Sequence, residues 1–499
     1  MKVFGNALSA LDENVISELN LLLPRISEKD PKIWGNETEA KNRLGWVDLP
    51  FSSRNLLPQF DALSAWVRSR GLTHLVLCGM GGSSLAAEVI ANSESKLLTI
   101  IDSTDPDQIR RSIPQDLEKS LIIIASKSGT TIETISHFKF FEQLFLDKKL
   151  DPVLHLIVLT DPKTDLNLNS RRQGYKVFET DLSVGGRFSA LSAFGLLPAS
   201  LLGIDVSVIL DDAQKAHEIV LTPNSPAVLI ATALFQRTQQ FVTISRGQAE
   251  LSGLGDWIEQ LIAESTGKNQ TGRLPIVSPS SRAVSSILSI GFKGNDFDIT
   301  VEATLGEHFV LWEWITVLLC YLLKVDPFDQ PNVSESKQST LKILDKIRTG
   351  TFSFASPQIK NESFDVYTNC NVGSIDEFLE KPFEYLAVMA FLPRYMQQDV
   401  FIFINKIASK LNRPITFGWG PRFLHSTGQF HKGGNTNGGF IQITRQIEND
   451  LNIPTEDFTF GQLITAQALG DAESLTQRSY PVFRIHLKQD KGALLKIFS

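Results

Sequence analysis

The chain has 499 residues, 42% of them hydrophobic and 21% charged, with a net charge of −7. That length exceeds one small domain and calls for two or three packed units with substantial cores. The lysines and arginines are scattered without a basic stripe, which argues against a nucleic-acid partner.

The first residues lack the basic-then-apolar pattern of a secretion signal. Residues 1–40 read as a helical arm. From about residue 57 the pattern alternates helix and strand: helix at 63–69, strand at 73–78, helix at 83–91, strand at 97–102, strand at 117–126, helix at 131–145 and strand at 154–160. Short apolar strands alternating with helices predict a parallel sheet covered on both faces, here placed at 41–210. A second such unit is expected at 211–345, with helix at 231–240, a strand at 240–246, helix at 256–265, a strand at 297–303 and a long helix ending at Leu323. Its apolar stretch from Phe309 holds Glu313 and two tryptophans, too short and interrupted to span a bilayer. Residues 346–499, with apolar segments at 364–369, 384–392, 399–411, 438–444 and 482–487, mix strands and helices as a mixed α/β extension that either completes the second sheet or stands as an appended unit. Cys78, Cys320 and Cys370 are odd in number and share no metal-ligand spacing, so a reducing compartment is expected. These readings together predict a cytoplasmic protein with no membrane partner.

Two loops carry the chemistry of the first unit. After the strand ending at Cys78 comes Gly79-Met80-Gly81-Gly82-Ser83-Ser84, then a helix. The glycines let the backbone approach a ligand, and the amides at the helix start point at an anion. The spacing is not GxGxxG, so a dinucleotide cradle is disfavoured. The second loop is Ser126-Lys127-Ser128-Gly129-Thr130-Thr131, followed by Ile132-Glu133-Thr134. A helix cap needs one hydroxyl; this loop and helix start hold five. A phosphate monoester, with three oxygens to satisfy, uses such a surplus. Both loops follow parallel strands, where open α/β sheets bind ligands.

GMGGSSL followed by SKSGTTIET resembles the sugar isomerase fold. Gly185-Gly186-Arg187-Phe188-Ser189, Glu264-Ser265-Thr266-Gly267-Lys268, and Pro327-Phe328-Asp329-Gln330-Pro331 running to Lys337 resemble, in order, segments of the glucose-6-phosphate isomerase family. DPKIW and RLGW near the start and GPRFLHSTGQFHKGG near the end are similar to the isomerase half of transaldolase/glucose-6-phosphate isomerase fusions. No transaldolase half precedes Met1, so no transaldolase activity is expected. The resemblance implies two sugar-isomerase-type parallel-sheet units, a sugar-phosphate substrate, and aldose–ketose isomerisation through an enediolate. No cofactor or metal is implied, because the substrate's own carbonyl delocalises the carbanion. Homodimer and monomer both remain open. A non-catalytic phosphosugar sensor, or an isomerase of another phosphosugar, is the alternative.

The resemblance assigns Glu264 as the proton-transfer base, Arg187 to enediolate stabilisation and Lys337 to ring opening. Spacing alone would read Glu264 as a surface partner of Lys268 at i+4. The resemblance places phosphate contacts at Ser83, Ser126, Ser128 and Thr131, with backbone amides of Gly82 and Lys127. The family's ring-opening histidine lies between the glutamate and lysine motifs, an interval that here holds only His308. The polar loop with His425 and His431 supplies the candidates: His431 as ring-opening acid/base, His425 as a second, substrate-facing residue. Metal ligation by this pair is disfavoured, since no Cys, Asp or Glu flanks them.

Overall fold

Three sheets organise the chain. The computed structural model describes residues 1–35, 38–245, 251–277, 287–294, 296–353, 355–435, 437–489 and 492–498. Strand β1 is Lys2–Phe4. The first sheet holds β2 (His74–Gly79), β3 (Thr99–Ile101), β4 (Ser120–Ala125), β5 (Leu156–Thr160) and β6 (Lys176–Glu179), all parallel in the order β3-β2-β4-β5-β6. Every residue of β4 and β5 is buried, as expected for central parallel strands covered on both faces. From β2 the chain first turns to β3 on one side, then returns to β4 on the other. The strand order therefore reverses between β2 and β4, and the crevice outside their carboxyl ends is where such sheets bind ligands. Gly79 pairs in register with Ala125, so the loops that follow leave the sheet side by side.

The second sheet contains β7 (Phe241–Ile244), β8 (Leu274–Ile276), β9 (Leu288–Gly291) and β10 (Ile299–Glu302), in the order β1-β10-β9-β7-β8. The strand expected at 240–246 is found as β7; Arg246 lies outside the described residues. The third sheet holds β11 (Ile359–Lys360), β12 (Phe364–Thr368), β13 (Tyr385–Ala390), β14 (Ile415–Trp419), β15 (Gly438–Arg445) and β16 (Val482–Leu487), ordered β11-β12-β16-β15-β13-β14. Strands β14, β13, β15 and β16 are parallel; β12 runs antiparallel to β16, and β11 antiparallel to β12.

Eight helices matter to the site: α1 (Glu13–Ser27), α2 (Leu85–Ser93), α3 (Ile132–Asp147), α4 (Leu254–Thr266), α5 (Leu305–Leu322), α6 (Val333–Arg348), α7 (Gly428–Gly433) and α8 (Phe460–Gln477). Helix α5 is long and apolar enough to cross a membrane, but 78% of it is buried as a core helix. Burial pushes the pKa of the Glu313 carboxyl, within it, well above the ordinary range.

The boundaries read from sequence need two adjustments. Residues 1–40 are not a separate arm. β1 extends the second sheet antiparallel to β10, the Met1 ammonium pairs with Glu307 at 3.1 Å, and Leu19, Leu23 and Ile26 of α1 join the main core. A three-residue edge strand is too short to show an alternating pattern, so only its open partner edge on β10 reveals it. The C-terminal stretch builds its own sheet, but two helices bind it to the first unit. Ile343 and Leu344 of α6, with Phe460 and Leu463 of α8, pack in one cluster with Ile122, Ile124 and Val158 of β4 and β5. Phe138, Phe141 and Phe145 of α3 belong to the same cluster.

Candidate active site

The loop after β2 makes one short turn before α2, with Gly81 at φ +53°. A Cβ at Gly81 would lie 2.8 Å from both the Gln260 side chain and the carbonyl oxygen of His425. The loop can thus approach the second and third units only as glycine. Ser189 donates to the Gly82 carbonyl at 3.1 Å, fixing the GGRFS turn against this loop.

In the second loop Ser126 donates to Thr131 at 3.1 Å, and the hydroxyls of Ser128 and Thr130 lie 2.9 Å apart. Thr131 occupies the cap position of α3, yet its side chain makes no cap hydrogen bond. The hydroxyl surplus is therefore not consumed by capping. Gly129 adopts φ +66°, and a Cβ there would meet Thr164 at 2.9 Å. The Lys127 ammonium binds both oxygens of Asp161 (2.8 and 2.9 Å) and the Asp181 carbonyl (2.9 Å). That side chain braces the loop rather than reaching into it.

Glu264 lies in the last turn of α4, with a side chain only 8% exposed. Its partner is Arg187 at 3.2 Å, not Lys268. Lys268 is itself buried and donates to the carbonyls of Asp326 (2.6 Å) and Asp329 (2.7 Å), pairing also with the Asp329 carboxylate. The i+4 surface pair suggested by spacing does not form: α4 ends at Thr266, so Lys268 lies beyond its cap, and Glu264 points inward from a helix that is buried along nearly its whole length. Arg187 donates to the carbonyls of Phe328 (2.8 Å) and Asp329 (3.1 Å), so the PFDQP turn aims its guanidinium at Glu264. The other Glu264 oxygen accepts from Gln260 at 3.1 Å, and the same Gln260 amide donates to the His425 carbonyl at 2.8 Å. One side chain thus ties the base to the third unit.

His425 ends a short turn at Arg422–His425, ahead of α7. Its Nε2 lies 2.9 Å from Glu133 in the first turn of α3. Gln467 of α8 donates to the same Glu133 oxygen at 2.7 Å and accepts from Thr104 at 2.6 Å, which fixes its amide. Burial pushes the Glu133 carboxyl up, but the charge of His425, its hydrogen bond and the nearby Lys337 ammonium outweigh that and hold it below its ordinary value. An ionised Glu133 accepts from Nε2–H. The opposite nitrogen, Nδ1, has no hydrogen-bond partner among the described residues. Sequence reasoning missed Glu133, Gln467 and Gln260. Only one of them left a trace: an acidic residue directly behind the hydroxyl loop.

Lys337 stands on the exposed side of α6, close enough to act on Glu133. His431 requires a correction. Its residue is 4% exposed, its ring stacks on Tyr385 with centroids 5.8 Å apart, and the edge of Phe440 closes another side at 5.5 Å. Nδ1 lies 3.0 Å from the Tyr385 hydroxyl. Burial lowers its pKa to about 3, so it is a neutral core ring and cannot serve as a ring-opening acid. The inward face of α7, pressed against the third sheet, puts it there. His308 is likewise enclosed, with burial lowering its pKa to about 3. Among the described residues, no group of three or more His, Cys, Asp or Glu could hold a metal ion.

A parallel sheet with hydroxyl loops at its switch point, a buried glutamate–arginine pair and a carboxylate-backed histidine meet here in an α/β fold shared with a solved sugar-phosphate isomerase. The crystal structure of a glucose-6-phosphate isomerase from Chlamydia trachomatis superposes with a TM-score of 0.55 at 18% identity, covering 68% of this chain and 87% of that one. Residues 60–283 match the family described as Phosphoglucose isomerase, a stretch that holds both hydroxyl loops, Arg187 and Glu264 but ends before Lys337 and His425. A glucose-6-phosphate isomerase of Thermus thermophilus is 34% identical over 256 residues, which is 49% of this chain and 60% of the relative's length. That of Mycoplasmopsis pulmonis is 27% identical over 68% of this chain and 98% of its own. Like the Thermus protein, the first curated relatives are matched over less than two thirds of their length.

Proposed function

We propose that this chain is a glucose-6-phosphate isomerase, interconverting glucose 6-phosphate and fructose 6-phosphate by ring opening and proton transfer through an enediolate. The observation that carries this reading is the buried Glu264–Arg187 pair at 3.2 Å, joined through Gln260 to the His425 segment. The phosphate is held by the hydroxyls of Ser83, Ser126, Ser128 and Thr131, with the amides of Gly82 and Lys127. His425, through its unpartnered Nδ1, moves a proton between the C1 hydroxyl and the ring oxygen, assisted by Lys337. Glu264 then takes the proton from C2, the hydroxyl proton passes from O2 to O1 within the enediolate, and Glu264 returns its proton to C1 as the C2 carbonyl forms. Arg187, its guanidinium fixed by two carbonyls, stabilises the oxyanion that develops between these steps. Glu133 and Gln467 are positioning residues that fix the tautomer and orientation of His425.

The third unit brings His425 to the cleft formed by the first two within one chain, so a single copy suffices. Chains carrying Glu264→Gln mixed with chains carrying His425→Gln should then show no more turnover than either alone. Recovered turnover would mean sites shared between copies. The decisive measurement is a coupled assay of fructose 6-phosphate formation. Glu264→Gln should lose at least about a hundredfold in turnover, typical of removing a general base. Substrate binding should persist, because the hydroxyl loops are untouched. Full turnover in this variant would remove the mechanism.

A further inference from the structure

A cavity of about 560 Å³ lies between helices α6 and α8 and strands β12, β15 and β16, within the size range of small-molecule sites. It is separate from the catalytic cleft. Gly461, Thr465, Ala468 and Leu469 line it along one face of α8, whereas Gln467, which holds Glu133, projects from the other side of the helix. Arg484 of β16 enters this cavity. Its guanidinium lies 4.4 Å from the centroid of the Tyr367 ring on the adjacent strand β12.

Arg445 and Lys488, the other cations lining the cavity, are already engaged. Arg445 is engaged by Asp105 and Asp107, and Lys488 by Asp365 at 2.8 Å. The Asp450 carboxylate accepts from the Gly461 amide at 2.7 Å and from the Thr459 hydroxyl at 2.5 Å. Arg484 has no carboxylate within pairing distance among the described residues, and burial pushes its pKa down. A half-buried guanidinium stacked on an aromatic face, with its fork unoccupied, is the arrangement that grips a carboxylate or phosphate bidentately. Ile347, Ile447 and Leu469 add apolar wall. An adjoining cavity of about 440 Å³ shares Tyr367, Leu469 and Arg484, so there is room on both sides of the guanidinium.

We infer that this cavity is a second binding site, for a small organic anion whose carboxylate or phosphate pairs with Arg484 while its flat or apolar body lies against Tyr367 and Leu469. Calorimetric titration of the full chain with benzoate, phenyl phosphate and uncharged benzyl alcohol tests it. The two anions distinguish a carboxylate from a phosphate ligand. Phenyl phosphate is titrated in a Ser128→Ala/Thr131→Val background, to remove the hydroxyl loops as a competing site. At least one anion should bind and benzyl alcohol should not. Arg484→Leu should weaken that binding at least about tenfold, as expected for loss of a bidentate charged contact. Thr465→Phe, which fills the cavity and leaves Arg484 in place, should do the same and serves if Arg484→Leu fails to fold. Binding of neither anion to the parent chain, or equal affinity in the cavity variants, would overturn the site.

Discussion

His425 and His431 are six positions apart in one polar loop, yet the fold gives them opposite surroundings. His425 ends a turn at the cleft, with a carboxylate on one nitrogen and an unpartnered nitrogen on the other side. His431, one helical turn into α7, is packed between Tyr385 and Phe440, with the Tyr385 hydroxyl as its polar partner. A proton-transfer group needs access and a charge-stabilising neighbour. A core ring needs neither, and burial keeps it neutral. Residue type and local spacing are the same for both. What separates them is the partner each finds from distant parts of the chain.

The sharpest way to break this comparison is to exchange the two losses. His425→Gln keeps an amide where Nε2 met Glu133 but removes the proton-accepting nitrogen. Turnover should fall about a hundredfold or more in the coupled assay. His431→Asn keeps a polar atom at the Nδ1 position, and turnover should stay within about threefold of the parent, since no reacting group is touched. The reverse order would assign ring opening to His431. A smaller effect is expected at the carboxylate behind the ring. Glu133→Gln should lower kcat about tenfold with KM for the sugar phosphate nearly unchanged, the pattern of a lost orienting partner. A rise in KM with kcat intact would instead make Glu133 part of the substrate pocket.

The parts of the site that could be read from sequence are those contained in single segments. The strand read at 117–126 carries an unbroken apolar run from Leu121 to Ala125 because it is buried on both faces, and the hydroxyl loop follows it directly. Glu264 and Arg187 were readable through the resemblance of their segments, but not their contact, which depends on the PFDQP turn aiming the guanidinium. The Glu133–His425 and Glu133–Gln467 bonds join residues 292 and 334 positions apart, and no periodicity encodes such pairs. They arise because α8 packs in one cluster with α3, β4 and β5, an interlock hidden by reading 346–499 as an extension. Strands β1, β6, β8, β9, β11 and β14, two to five residues long, also escaped notice.

The smallest expected effect concerns stability rather than catalysis. Burial lowers the pKa of His431 to about 3, whereas an unfolded histidine titrates near 6.5. Between those values the unfolded chain binds a proton that the folded chain refuses, so folding stability rises with pH across that window. The penalty is complete below about pH 3 and absent above about pH 6.5. His308, with its pKa lowered to about 3, and His137, lowered to about 4, act in the same direction. Each contributes a slope of up to about 1.4 kcal/mol per pH unit. Urea unfolding followed by tryptophan fluorescence should therefore show the slope between about pH 4.5 and 6 falling by roughly one proton's worth in His431→Asn. Whatever the substitution costs in absolute stability, the slope isolates the titrating group. An unchanged slope would mean that His431 takes up its proton in the folded chain as readily as in the unfolded one. That is the property a ring-opening acid requires, and the roles of the two histidines would then have to be reversed.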